Sequence, residues 1–488
     1  MESLRYICWM FCLVQIATVK GRPDFGTSFQ FSASSTIGRI SGEISSLFAT
    51  IDDTLNFMIS GAIPDSAMKR ELMAAFTEDF SISAKAITDL LQEAASSTSS
   101  MDTTLSTVRT AYNNFTTYYN ANANSFLQST SQSFGNYLTT ELYSGLEHFM
   151  QGISPLSTAL GMLQTSLESA SVAEDVPSER FRMLVRALRL LKAHVLLMVY
   201  SFQRVGVNLQ TADTFYATFK QHQQQLPAEF IAETVAFSAE LSTMEEAVEA
   251  KLSGVEESFN YTVTQIETEL TGDVQNQVGF MQFQTALKTF ASLRSSFVKN
   301  LKESIVVGST AYRASVAALV SQTFYFDSSV PLDSAALDLV TLLIQSNVFD
   351  KVCYNKFAAL VADLPTLGPI RLAECLNTEV PRLRKLEAMI ETYGLMVSYD
   401  DKDLWHNLRP CRSEFAASSC ISEVGVFYPR LEAARDDDGE TWAGNFFTAA
   451  LSASLHRIGL CFLKTNFFTF QRQVPTFKRN IASCFSGL

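Results

Sequence analysis

The feature that most constrains this chain is the return of apolar side chains every third or fourth residue, sustained over long stretches. Met101, Leu105, Val108, Tyr112, Phe115, Tyr119, Asn122 and Phe126 keep a strict four-three alternation, as do Leu142, Leu146, Phe149, Ile153, Leu156, Leu160, Leu163 and Leu167. That spacing puts an apolar stripe along one side of an α-helix, and the stripe must be covered by another helix. Asn122 places an amide in the first seam, where it can set register, and Pro155 should kink or interrupt the second, giving two helices.

A third pattern runs Met244, Val248, Leu252, Val255, Phe259, Val263, Ile266, Leu270 and Val274, in repeated steps of four, four and three. Eleven residues per three turns is close to the natural helix, so this segment should be nearly straight. Heptad spacing returns at Phe283, Leu287, Phe290, Phe297 and Leu301. An unbroken helix over 228–305 would exceed roughly 100 Å; Gly254, Gly272 and Gly279 could divide it. Helix starts are marked by Pro64-Asp65-Ser66, Pro177-Ser178 and Pro331-Leu332-Asp333-Ser334, each a proline and a capping residue before a periodic segment. No run of alternating β-branched residues stands between turn signals, so the chain is expected to be all-α, with almost no sheet.

The N-terminus reads differently. Arg5 precedes an apolar run from Tyr6 to Val19 that ends beside Lys20 and Gly21, the layout of a secretory signal peptide and too short to cross a bilayer. Removal near Gly21 leaves no stable membrane anchor, because the greasiest internal segment, 184–202, carries Arg186, Arg189, Lys192 and His194 and reads as a buried soluble helix. The formal charge of −13 falls to −14 once Glu2, Arg5 and Lys20 are gone. Such an acidic surface repels phosphate backbones and anionic lipid, which argues against nucleic acid as a partner. Between 228 and 274, eleven acidic residues face the single Lys251; they fall between the apolar positions and read as a solvated face.

Cys8 and Cys12 leave with the leader. Six cysteines remain, Cys353, Cys375, Cys411, Cys420, Cys461 and Cys484, an even number that points to three disulfides in an exported chain. On one continuous helix Cys411 and Cys420 would stand about 13 Å apart, beyond the roughly 7 Å that a bridge allows, so they pair only if that segment bends. Pro365 and Pro369 allow a turn that could bring Cys353 toward Cys375. All fifteen connectivities stay open. Two glycosylation acceptors, Asn114 in Asn-Phe-Thr and Asn260 in Asn-Tyr-Thr, agree with the secretory route. The expected division is a leader over 1–21, a cysteine-free region of long, elongated helix bundle over 22–330, and a disulfide-linked helical domain over 331–488.

Catalytic chemistry finds no foothold. His148, His194, His222, His406 and His456 are scattered singly, and no metal-binding, nucleophile-elbow or phosphate-loop motif is present. His194 reads as a satisfied core histidine. Asp436, Asp437, Asp438, Gly439 and Glu440 lack the spacing of a calcium loop, since Phe447 holds the twelfth position. No cofactor or metal is expected.

Cys353 followed by Tyr354 and Phe357, then Cys375, Cys411, Cys420, and the closing pair Cys461 and Cys484 around Phe467, Phe468 and Phe470 resemble the TsetseEP domain, a cysteine-containing helical domain of secreted insect proteins. The resemblance covers residues 353–484, under a third of the chain. It implies an extracellular arthropod protein of gut, salivary or other secretory tissue, in a family without an established enzymatic activity. The Glu-Pro repeats of the founding member are absent here. The reading that follows is a secreted, non-enzymatic helical glycoprotein whose partner is an extracellular protein or another copy of itself. The competing reading is a helical carrier, in which some of the 37 phenylalanines line a cavity for lipid or a small hydrophobic ligand.

Overall fold

In a computed structural model of the chain, the described residues are 24–488 apart from 28–29, 98–99, 271–273, 325–328, 413–416 and 436–440. The expected signal peptide and the Asp436–Glu440 cluster lie outside them. The protein is all-α, and no strand occurs among the described residues. The helices are α1 (Ser34–Thr54), α2 (Ser66–Ala94), α3 (Met101–Phe134), α4 (Asn136–Glu168), α5 (Ser178–Glu269), α6 (Val278–Phe324), α7 (Ser329–Ile344), α8 (Asp350–Ala362), α9 (Leu367–Leu408), α10 (Ala417–Arg435), α11 (Thr441–Asn466) and α12 (Val474–Ser486), with a π-helical turn at Phe467–Gln473 before the last.

Packing divides the chain into two units. The first takes the described residues to 221 together with 335–360 and 478–488, and the second takes 222–334 and 361–477. This differs from the expected division at 330/331. The cysteine-bearing third does not stand alone, because its two ends, 335–360 and 478–488, bury their apolar residues with the N-terminal helices.

In the first unit, α1 to α4 each contribute one fully buried phenylalanine, Phe48, Phe80, Phe115 and Phe149. Their rings meet edge to face, with centroids 5.1 Å apart for Phe80 and Phe149, 5.4 Å for Phe115 and Phe149, and 5.5 Å for Phe80 and Phe115. Such contacts add about 1 kcal/mol per pair beyond the area buried.

Both heptad seams form helices, with two departures. Asn122 is exposed and donates to the Tyr118 carbonyl, while its neighbour Ala123 is buried and the seam resumes at the buried Phe126. Pro155 does not break α4. It sits on the exposed side, where water can satisfy the freed Gln151 carbonyl, while Gly152, Ile153 and Leu156 hold the buried stripe in register.

The four-four-three pattern is buried at Met244, Val248, Leu252, Val255, Phe259, Ile266, Leu270 and Val274. The helix carrying it ends at Glu269, however, and α6 begins at Val278. Gly254 lies inside α5 with open space around it; Gly279 is a close-approach residue, since a Cβ there would lie 2.5 Å from the Ser418 carbonyl oxygen.

By length and composition, two helical stretches could cross a membrane, Gly279–Gln322 and Trp442–Ser486, each with 28% of its apolar window buried. Each supplies a stripe to the core of the second unit, Phe297, Leu301 and Ile305 from one and Leu451, Ile458 and Phe462 from the other.

Replacing Phe80 by Ala removes a ring that, like Phe149, touches the other three and is expected to cost about 3–5 kcal/mol by urea denaturation. Asn122→Ala, at an exposed position, is expected to stay within about 0.5 kcal/mol. Comparable losses would contradict the placement of α2 and α3.

Candidate functional site

The six cysteines among the described residues form three bridges. Cys353 pairs with Cys484, Cys375 with Cys461, and Cys411 with Cys420, with Cα separations of 5.8, 5.9 and 5.5 Å. The Cys411–Cys420 pair exists because the segment bends: a single 3-10 turn at Pro410–Arg412 precedes the start of α10 at Ala417. Cys353 and Cys375 do not pair with each other. The Cys353–Cys484 bridge spans 131 residues and ties α8 to α12, both in the first unit. Closing a loop that long restricts the unfolded chain by about 5 kcal/mol, against about 2.6 kcal/mol for the nine-residue loop.

Beside that bridge lies a polar hub. Arg204 of α5 reaches Glu141 at 3.0 Å and Asp350 at 3.0 Å, and donates to the carbonyls of Ser346 and Asn347. Those carbonyls lie in the turn between α7 and α8, so one guanidinium braces that turn while pairing with the first residue of α8. Asn208 donates to Asp350 at 2.7 Å and to the Ser346 hydroxyl at 2.9 Å. Asn347 also donates to the Phe485 carbonyl, holding the C-terminal helix.

The second unit buries two charge networks. Glu379 accepts from Arg457 at 2.9 and 2.6 Å and from the Ser454 hydroxyl at 2.8 Å, and pairs with Arg382. Burial alone would raise its pKa; the two arginines and Ser454 hold it below the usual carboxylate range. Arg294 is enclosed completely, with Asp401 at 2.6 Å and Glu432 at 2.9 Å, and its guanidinium lies 5.2 Å from the Phe290 ring centre. One cation thus serves two carboxylates. Burial pushes the Asp401 carboxyl up to about 7; Arg294 pulls against that shift, while Glu432 and Asp400 add to it. With Asp401 protonated the cluster is neutral, which a medium of low polarity favours.

Two histidines that are 46 positions apart in sequence come together. His148 of α4 and His194 of α5 stack with ring centres 5.6 Å apart and planes 1° from parallel. His194 is half-buried, its Nδ1 has no hydrogen-bond partner, and burial with His148 lowers its pKa. It is therefore not the satisfied core histidine expected. A Cβ at Gly152 would lie 2.9 Å from its ring, so α4 and α5 approach closely there. No group of three or more His, Cys, Asp or Glu able to hold a metal occurs among the described residues.

Both glycosylation acceptors are on helix surfaces. Asn114 and Asn260 are exposed, whereas the hydroxyl-bearing Thr262 of the second triplet is buried. In the second unit, the apolar void between α5, α6, α9 and α11 is about 20 Å³, bordered by Met244, Tyr312, Leu386 and Phe447. That holds about one water.

The pairings, the stacked histidines and the enclosed arginine all join residues far apart in the chain, and nothing in local spacing marks them. The one signal in the sequence is a lone Arg294 between Phe290 and Phe297, on the helix face that the heptad pattern assigns to the core. Compared with protein-family models, curated proteins and solved structures, the chain matches none.

Asp401 titrates near about 3.9 when unfolded and near 7 when folded. The folded state holds the extra proton between those values, so this group's contribution to stability falls as pH rises through that window and stays lost above it. Asp401→Asn is expected to gain on the parent protein in urea midpoint from pH 4.5 to pH 8. A difference that does not change with pH would contradict the assignment.

Proposed function

We propose that the protein is a secreted, non-enzymatic helical glycoprotein that acts as an extracellular structural or protein-interaction module. The observation that carries this reading is an apolar stripe on α5 that the first unit leaves uncovered. Leu190, Leu197, Tyr200 and Val207 are 43–62% exposed and recur in steps of seven, three and seven, the spacing of a helix-pairing seam. Leu197 and Tyr200 border an open groove of about 690 Å³ whose opposite wall is α4, with Tyr137, Ser144 and Gly145. Small residues on one wall and an apolar edge on the other suit a helix of a partner chain or of a second copy.

Three bridges between helices support an oxidising, extracellular setting. The 20 Å³ void favours a surface function over the carriage of lipid in the interior of the second unit. The two stretches apolar enough for a membrane share their helices with Arg294 and Arg457, which sit in ion-pair networks, and this supports a water-exposed protein.

Light scattering coupled to size exclusion tests the reading, with protein secreted from cultured cells and Leu197→Glu/Tyr200→Glu as the variant. The parent is expected to associate with itself or to retain a co-secreted protein, and the variant to run as a monomer. A parent that stays monomeric and retains no co-secreted protein would overturn it.

A further inference from the structure

The first four turns of α5 break two electrostatic rules. Arg180, Arg182, Arg186, Arg189 and Lys192 stand there with Glu179 as the only acid, in a chain of net charge −13. Cations at a helix N-terminus oppose the helix dipole, and like charges three or four residues apart repel. The available relief is small: Arg182 and Arg186 share Glu179 at 3.7 and 3.5 Å while 67% and 74% exposed, and Lys192 pairs with Glu43 at 2.9 Å. Arg189 has no ion-pair partner among the described residues. Local rules broken without internal compensation mark functional positions.

Those arginines share a groove. Arg182, Arg186 and Arg189 border an open depression of about 530 Å³ that Phe31 and Phe181 also line, their rings 4.6 Å apart. Its other wall is the first turn of α1, at Ala33 and Thr36; Ala33 makes no side-chain cap, and no acid occupies that turn. Two helix N-termini and three guanidinium groups therefore bring positive potential to one place, beside two aromatic rings. Glu174 is the one carboxylate on the rim. The volume is that of a site for a small organic molecule, and guanidinium forks match planar or tetrahedral oxyanions.

We propose that this groove binds an amphiphilic organic anion, its oxyanion head held by Arg182, Arg186 and Arg189 and its apolar body laid on the half-buried Phe31, which the buried Phe181 backs. The site lies apart from the Leu197–Tyr200 groove and needs neither a partner chain nor an interior cavity, so it stands or falls independently of the interaction reading.

Titration calorimetry on the full chain tests it with four probes below their micelle concentrations: dodecanoate, dodecyl phosphate, inorganic phosphate and uncharged dodecyl maltoside. Both alkyl anions are expected to bind at least tenfold more tightly than the sugar detergent or inorganic phosphate, and to weaken as salt rises from 0.05 to 0.5 M. A further tenfold preference between the two alkyl anions would tell a fatty-acid carboxylate from a phosphate-headed lipid as the source. Arg182→Gln/Arg186→Gln/Arg189→Gln is expected to lose at least tenfold in affinity with no fall in thermal midpoint. Arg189→Glu alone, which breaks no ion pair, should lose affinity in the same direction. Equal binding of the uncharged detergent, equal binding of inorganic phosphate, or unchanged affinity in the variants would overturn the proposal.

Discussion

The structure depends on the burial of one apolar stripe per helix against other helices of the same chain. Four helices place one phenylalanine each at a common point, Phe48, Phe80, Phe115 and Phe149, and the edge-to-face contacts of those rings set which residue of each helix faces inward. Everything polar is arranged around that requirement. The last turn of α7 is closed by Asn208 on the Leu343 carbonyl and the turn after it by Arg204 on the Ser346 carbonyl, and charges that fall on inward positions, such as Arg294 and Glu379, are met by opposite charges from neighbouring helices.

The cysteines make that arrangement covalent. The chain begins in one packed unit, builds a second from 222–334 and 361–477, and returns to the first with its last residues. Cys353–Cys484 fastens the returning α12, and Cys375–Cys461 fastens α9 to α11 in the second unit. A bridge of long sequence separation limits the unfolded chain more than a short one, so the two long bridges act where the topology costs the most loop entropy. The short Cys411–Cys420 bridge instead holds a local bend.

Much of the fold was legible in the sequence because helical periodicity is a local signal. The stripe from Met244 to Val274 is buried almost position for position, and the starts at Ser66 and Ser178 coincide with the expected ones. Local signals also misled. Pro155 is a strong helix breaker in isolation, yet packing on both sides of it outweighs one missing hydrogen bond, and Asn122 fits the seven-residue pattern while its amide faces solvent and bonds its own helix. The bridges, the stacked His148 and His194, and the sharing of Arg294 by Asp401 and Glu432 depend on tertiary meeting points that no spacing rule encodes. The charge anomaly at the start of α5 was present in the sequence but counted there only as the polar interruption of an apolar segment.

Proteolysis of the unreduced monomer followed by mass spectrometry of the linked peptides tests the central claim, that the stripes are covered within one chain that leaves its first unit and returns to it. The account predicts three intramolecular links, Cys353 to Cys484, Cys375 to Cys461 and Cys411 to Cys420. A Cys353–Cys375 link, or Cys484 free or joined to another chain, would contradict it.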